Sequence, residues 1–401
     1  MKNILVINAG SSSLKYQLID IDTETVIAKG LCERIGIAGG HIEGKTFDGR
    51  QFSEEIDLPD HTVAFGRVKD ALLEGECKVI DSLDEITAIG HRVVQGGAVF
   101  DHSVIVTPEV IREIDNLSAL APLHNPAHIQ GINACTEVFG DQKPQVVVFD
   151  NAFHSTMPKY AYSFAIPQDL AEKHQIRKYG AHGTSHKYLV ERYAEIKGIS
   201  LEGTKIITCH LGNGSSISAV KDGKCIDTSM GLTPLDGLVM GTRSGNIDAS
   251  AVTFLQEREG WTPKETSEFL NKKCGLLGVS GSSSDMRDNM NAREDGDKNA
   301  ELATDMLFYQ IRKYIGSYVA AMNGVDAILF SGGIGENSVH TRDAVVRELG
   351  WLNIRLDEEA NDVRGKEIRI STDDSAVEVW VIPTNEELAI ARDTKRLVEG
   401  P

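Results

Sequence analysis

Two arginines stand in glycine-rich company: Arg92 in Gly90-His91-Arg92-Val93-Val94-Gln95-Gly96-Gly97, and Arg243 in Gly241-Thr242-Arg243-Ser244-Gly245-Asn246. A guanidinium with small neighbours reaches a ligand unhindered, and its planar fork matches carboxylate or phosphate oxygens, so both are candidates for clamping an anion. Histidines gather at Leu123-His124-Asn125-Pro126 and at Tyr179-Gly180-Ala181-His182-Gly183-Thr184-Ser185-His186. His182 and His186 have the spacing of H-E-x-x-H, but Gly183 stands where the glutamate would be, which argues against a zinc protease. His186 reads instead as a packing or capping residue of the helix that follows. Among the acids, Asp150 ends the apolar run Val146-Val147-Val148-Phe149, where an α/β protein presents a Mg²⁺ ligand or an acid/base. Glu386, in Pro383-Thr384-Asn385-Glu386-Glu387, opens a helical pattern, a place where a carboxylate also meets a favourable helix dipole.

Small, hydroxyl-rich turns supply the complementary donors. In Asn8-Ala9-Gly10-Ser11-Ser12-Ser13 the backbone amides are free to approach phosphate, Lys15 adds charge, and the Asn8 amide oxygen suits Mg²⁺. The turn has a second copy at His210-Leu211-Gly212-Asn213-Gly214-Ser215-Ser216. Ser331-Gly332-Gly333-Ile334-Gly335-Glu336-Asn337 and Gly281-Ser282-Ser283-Ser284-Asp285-Met286-Arg287 complete a phosphate and nucleotide constellation. Neither is G-x-G-x-x-G, since Ser338 falls where the third glycine would be, so dinucleotide binding is disfavoured. Gly39 to Thr46, GGHIEGKT, fits the P-loop pattern without its context: Asp48-Gly49 follows at once, and His41, Glu43 and Lys45 alternate with Ile42, Gly44 and Thr46 as in a hairpin strand.

The elements that must position these groups are legible as strands at Asn3 to Asn8, Leu14 to Asp20, Ile86 to Gly90, Gln145 to Phe149, Lys205 to His210, Ser216 to Val220, Asp326 to Phe330 and Val377 to Ile382. Helical patterns cover Pro126 to Phe139, His186 to Ile196, Ala249 to Glu257, Lys298 to Met322 and Asn385 to Val398, the last opening on Thr384-x-x-Glu387 as a capping box. Strands alternate with helices, so the class is α/β. Two hairpins of one grammar, turning at AGSSS and NGSSI, suggest a duplicated domain. No low-complexity linker divides the halves, and the boundary is expected near Asn151.

The 401 residues carry 41 basic and 59 acidic side chains, a net charge of −18, which argues against nucleic acid or an anionic membrane as partner. At 41% hydrophobic and 25% charged, the chain has an ordinary folded composition, long enough for two or three domains. It shows neither a membrane-spanning apolar run nor a signal-peptide pattern, so a cytoplasmic location is expected. The six cysteines (Cys32, Cys77, Cys135, Cys209, Cys225, Cys274) lack metal-site spacing and read as reduced packing residues.

With VINAGSSSLKY, GHRVVQGG, Leu123 to Pro126, VVVFDNAFH, YGAHGTSH, HLGNGSSISAV, SGGIGENS and PTNEE in one order, the chain resembles the acetate kinase family from end to end. The resemblance implies two duplicated actin-like ATPase (ribonuclease H-like) domains with an interdomain nucleotide cleft. They would be 1–150 plus 386–401, an N-terminal acyl-kinase domain, and 151–385, a C-terminal nucleotide-binding domain. It implies Mg²⁺-dependent (Mn²⁺ substituting) transfer of the ATP γ-phosphoryl group to acetate by in-line attack, in a homodimer. Position by position it implies Asn8 and Glu386 at the metal, with Lys15, His210, Leu211, Gly212, Asn213 and Gly214 at phosphate. Asp285, Met286, Arg287, Gly333, Ile334, Gly335, Glu336 and Asn337 fall at the nucleotide. Arg92 falls at the substrate, Asp150 at the acid/base position, and His182 with Arg243 at the transition state. Val94, Leu123, Ala181 and Pro234 match the acyl pocket, where Ala181 replaces the Phe expected in some relatives and widens it toward propionate. Acetate is already ionised at neutral pH and needs no general base, so Asp150 is expected to organise Mg²⁺ or substrate. The alternatives are propionate kinase on the same scaffold and, in another class, a non-catalytic actin-like nucleotide switch.

Overall fold

Ile4, Leu5, Val6 and Ile7 are all buried, the mark of a strand covered on both faces, and they form β1 (Asn3–Ala9) at the centre of the first sheet. The structure, a computed structural model, describes residues 2–122 and 124–400. It divides into two compact units, one running to Ala152 and resuming at Asn385, the other spanning Phe153–Thr384.

In the first unit β1 turns back into β2 (Ser13–Asp20), where Leu14, Tyr16 and Leu18 are buried and Lys15 is exposed, and β3 (Thr25–Glu33), β4 (His41–Thr46) and β5 (Gln51–Glu55) continue the antiparallel meander. The strand β4 occupies the last six residues of GGHIEGKT with Ile42, Gly44 and Thr46 buried, so the P-loop match is a hairpin strand, as its alternation indicates. On the other side of β1 come β6 (Ile86–Val93) and β8 (Gln145–Phe149), both parallel, and the short antiparallel β7 (Val104–Ile105). The helices His61–Leu73 and Asn125–Phe139 cover one face, with Phe65, Val68, Leu72, Cys135 and Phe139 in one core with Leu5, Ile7, Leu14 and Ile89. Alternate residues of a strand point to opposite faces, so Gly90, next to Ile89, looks the other way. It meets Ile390 and Thr394 of the last helix, Glu386–Glu399, which thereby closes the N-terminal unit from the far end of the chain. That helix is capped by Asn385, whose side chain accepts from the Leu388 amide, rather than by Thr384, whose Oγ1 lies 2.7 Å from Ser185 Oγ. The cap thus lies one residue later than expected and the expected capping box does not form, because Asn competes equally well for the cap, Thr384 has a partner elsewhere, and the residue three beyond Asn385 is Leu388, which has no side-chain acceptor.

The second unit repeats the plan. Its strands are β9 (Lys205–Leu211), β10 (Ser215–Lys221), β11 (Lys224–Thr228), β12 (Ala327–Ser331), β13 (Ile368–Arg369) and β14 (Glu378–Val381). Sheet order β11-β10-β9-β12-β14-β13 matches β3-β2-β1-β6-β8-β7 strand for strand, and each neighbouring pair has the same parallel or antiparallel sense in both. The duplication suggested by two short turns therefore extends through six strands, with β4 and β5 an addition to the first unit. The long helix Lys298–Met322 buries Leu307, Ile311, Ile315 and Met322 against Ile207, Ile217, Ala219 and Ile328. In each sheet the carboxyl ends of the central parallel strands share one edge, where ligands of α/β proteins bind.

Candidate active site

At that edge of the first unit Arg92 and Asp150 come together. Register places Arg92 of β6 beside Val148 and Val93 beside Phe149, so Asp150, one residue past β8, lies within reach of the guanidinium. Arg92 Nε donates to both Asp150 oxygens at 2.9 and 3.0 Å, and Nη2 to Oδ2 at 2.6 Å. The Asp150 side chain is 2% exposed and that of Arg92 26%, so the pair is held from below and open on the arginine side. Asp150 holds the Arg92 pKa above its ordinary value. Glu386 Oε2 lies 4.0 Å from Arg92 Nε. Burial pushes the Glu386 carboxyl up; Arg92 opposes this, while Asp150 and Glu387 add to it.

The loop after Arg92 is pinned. Asn151 accepts from the Gly96 amide at 2.8 Å and donates to the Gly97 carbonyl at 2.9 Å, and a Cβ at Gly96 would come within 2.8 Å of the Phe149 ring. Half-buried Val94 is carried on this loop, and Leu123 lies outside the described residues. Asn8 and Lys15 face each other across the β1–β2 hairpin. Two imidazoles that the sequence did not single out fix its turn: His128 Nδ1 and His61 Nε2 each lie 2.8 Å from the carbonyls of Ala9 and Gly10.

Asn8, Lys15, Arg92, Glu386 and Glu387 line one cavity of about 690 Å³. Its donors fit a magnesium ion. Asn8 offers an amide oxygen and Glu386 a desolvated carboxylate crowded by Asp150 and Glu387, a surplus of negative charge that a small cation balances. Mg²⁺ takes one or two protein oxygens and keeps its other positions for water and phosphate. No cluster of three His, Cys, Asp or Glu able to cage a metal occurs among the described residues.

The second unit assembles a different set. His182 has φ 61° and ψ 25°, the left-handed region, at the entrance to the helix Gly183–Lys197. A non-glycine residue there stores of order 1 kcal/mol or more of strain, kept where the surroundings over-determine it. Its ring stacks on His210 of β9 at 4.2 Å and 25°, and its Nδ1 lies 2.8 Å from Ser216 Oγ of β10. A Cβ built on Gly214 would sit 3.5 Å from His182 Nε2 and 3.4 Å from Arg243 Nη1, so both groups converge on the glycine turn. Gly241 approaches the same turn, its amide donating to the Asn213 carbonyl at 3.0 Å.

Arg243 differs sharply from Arg92. Its Nη1 contacts the Pro234 carbonyl at 3.1 Å and Met240 Sδ at 3.5 Å, and no carboxylate lies in ion-pair range among the described residues. Burial lowers its pKa with no neighbouring charge to offset the shift. A half-buried cation without a counter-ion is a site for an anion. Met240 belongs with Ala181 and Met230 to a small apolar cluster.

A cavity of about 1120 Å³ in this unit is lined by Gly212, Asn213, Asp285, Met286, Arg287, Gly333, Ile334 and Asn337, eight of the residues singled out from sequence. Three others, Leu211, Gly335 and Glu336, stand behind it. Leu211 is core, Gly335 gives its carbonyl to buried Arg342, and Glu336 accepts from the amides of Gly332 and Thr384 at 2.9 and 3.1 Å, bracing the turn from within. Asp285 caps the helix Met286–Glu294 and pairs with Arg287, which lowers its pKa. His340, Asp343, Asp362 and Arg364 also line the cavity; no motif announced them.

Residues 3–392 match the model of the acetokinase family. An acetate kinase of Halothermothrix orenii is 52% identical over 99% of this chain and all of its own length. The crystal structure of Porphyromonas gingivalis acetate kinase superposes with a TM-score of 0.96 at 45% identity, over 99% of this chain and 100% of that one. A propionate kinase from Francisella tularensis gives 0.91 at 44% identity, over 98% and 99% of the two chains.

Proposed function

The chain belongs to the acetokinase family, two actin-like α/β domains catalysing phosphoryl transfer to the carboxyl group of acetate, and on that premise we propose how its residues divide the work. ATP binds along Gly212 to Gly214, Asp285 to Arg287 and Gly333 to Asn337, with Lys15 a further phosphate contact. Arg92, oriented by Asp150, takes the acetate carboxylate. One carboxylate oxygen attacks the γ-phosphorus in line with the departing ADP oxygen, so the chain's task is positioning and charge stabilisation. Arg243 and His182 donate to the equatorial oxygens of the transferred group. Asn8 and Glu386 would hold Mg²⁺, or Mn²⁺ in its place, which draws negative charge from the phosphate oxygens when bound. No side chain needs to remove a proton from acetate, so Asp150 acts by holding Arg92. The observation that carries this reading is Arg243: a half-buried cation beside a glycine turn, whose nearest polar contacts are a carbonyl and a thioether.

Val94, Leu123, Ala181 and Pro234 are the groups we assign to the methyl end of the acid. An apolar pocket discriminates by only about 1 to 3 kcal/mol per methylene, so small changes decide between acetate and propionate. The test is acyl phosphate formation from MgATP with acetate, propionate and butyrate in parallel, reporting kcat/KM. Acetate is expected to lead, and Val94→Ala to shift the ratio toward propionate by about tenfold. A lead for propionate in the unaltered enzyme would overturn the pocket assignment, and no product from any acid would return the chain to a nucleotide switch. No helix among the described residues is long and apolar enough to cross a membrane. The six free cysteines suit the reducing cytoplasm, where we place the enzyme as a homodimer; a single 43.7 kDa species in sedimentation equilibrium would refute the dimer.

A further inference from the structure

Beneath His182 runs a line of buried hydroxyls and imidazoles that the mechanism has not used. Ser216 Oγ lies 2.8 Å from His182 Nδ1 and 2.7 Å from His186 Nε2, and His186 Nδ1 lies 2.6 Å from Thr208 Oγ1. Thr208, His186 and Ser216 are fully buried, so water cannot complete or interrupt the line. Each is placed by the fold: Thr208 on β9 and Ser216 on β10 present side chains to the helix Gly183–Lys197, and His186 is four residues beyond His182.

If the Ser216 hydroxyl proton stays within the line, the protons can run in only two ways. Burial keeps His186 neutral, its pKa well below the ordinary value, so its ring carries one N–H. In the first arrangement Thr208 donates to His186 Nδ1, His186 Nε2–H donates to Ser216, and the Ser216 hydroxyl donates to His182 Nδ1. His182 then carries its proton on Nε2, the nitrogen near Gly214 and Arg243. In the second every bond is reversed, and the Thr208 hydroxyl proton must find another acceptor. Among the described residues Thr208 Oγ1 has no side-chain hydrogen-bond partner but His186. A buried donor without an acceptor is disfavoured strongly enough to decide the direction. The other acceptor open to Ser216, the Ala181 carbonyl, is at 3.5 Å, the limit of a hydrogen bond.

We propose that Thr208, His186 and Ser216 form a relay that fixes the tautomer of His182, so that it presents an N–H donor at Nε2 toward the transferred phosphoryl group. This rests on the role given to His182 above, and makes the three buried groups positioning residues. A neutral imidazole free to choose would spend part of its time with a lone pair at Nε2, which repels phosphoryl oxygens instead of donating to them. The relay removes that fraction before substrate arrives.

The test reads the tautomer directly, through long-range ¹⁵N–¹H correlation spectra of the full-length enzyme labelled at histidine nitrogen, with His182 assigned by its loss in His182→Gln. The unaltered enzyme is expected to show the His182 proton on Nε2; a proton on Nδ1 would overturn the relay whatever any variant does. Thr208→Val keeps the shape and removes the terminal donor. It should bring up a second His182 population protonated on Nδ1 and lower kcat about two- to tenfold with both KM values nearly unchanged, and Thr208→Ser should restore both. A fall in kcat with the His182 tautomer unchanged would mean ordinary packing damage and would also sink the proposal. The catalytic role on which the proposal rests is judged separately, by kcat of His182→Ala, so the two failures are distinguishable.

Discussion

Two arginines of one chain have opposite electrostatic settings, and the difference assigns them different tasks. Arg92 is neutralised by a bidentate carboxylate, so its guanidinium is fixed in orientation and has limited charge to spare. Arg243 has no carboxylate partner among the described residues and keeps its full charge for charge that develops during reaction. Arg243→Ala is therefore expected to lower kcat by about 10²-fold or more with a smaller change in the KM for acetate, as for other lost donors to a developing charge. Turnover near normal in steady-state assays would refute the assignment. For Asp150→Asn the loss should appear elsewhere. Removing the charge releases Arg92 to swing toward Glu386, so the KM for acetate should rise by about tenfold or more. Both Asp150 oxygens are engaged by Arg92, so raising Mg²⁺ should not restore activity; full rescue by metal would mean that Asp150 acts through the ion. Neither arginine's setting was legible in the sequence. Asp150 is 58 positions from Arg92, and only the parallel register of β6 on β8 brings them together.

At the scale of elements, what was legible was local. Runs such as Ile4 to Ile7 and Val146 to Phe149 declare buried strands because β-branched side chains pack on a pleated sheet, and glycine-serine turns declare where they end. Contacts that depend on one element docking on another left no local signal. Asp362 and Arg364 reach the second unit's cavity, and His61 and His128 the first turn, only through tertiary packing. Gly90 shows how narrow such docking is. A Cβ there would lie 2.5 Å from Thr394 Oγ1 and 2.6 Å from Ile390 Cγ2, so even alanine must push the last helix off β6. Gly90→Ala is expected to cost about 1 to 3 kcal/mol, the usual price of overpacking, and to lower activity because Glu386 rides on the displaced helix. Ile390→Ala in the same chain, which removes that Cγ2, should recover part of the loss. The check is a double-mutant cycle on denaturation midpoints; additive effects would mean that the two residues do not meet.

Over the whole molecule, each unit buries two histidines whose rings must stay neutral. His91 and His128 in the first unit have pKa values lowered by burial to about 4. In the second, burial lowers His154 to about 3 and holds His186 well below its ordinary value. On unfolding each regains the ordinary value of about 6.5, so below that pH the unfolded chain binds protons that the folded chain excludes. Stability from this source is therefore complete above about pH 6.5 and declines as the pH falls toward about 4, by up to about 1.4 kcal/mol per histidine per pH unit. Between pH 7 and pH 5 each histidine should remove about 2 kcal/mol, and because both units carry a pair, neither is spared. Urea titrations at the two pH values, followed by fluorescence and circular dichroism, measure the difference. His154→Gln, which no longer titrates, should reduce the pH dependence by one histidine's share. An identical pH dependence in that variant would show that the His154 ring becomes protonated without unfolding, and that its buried contacts with Ser218 and His186 open more readily than their geometry implies.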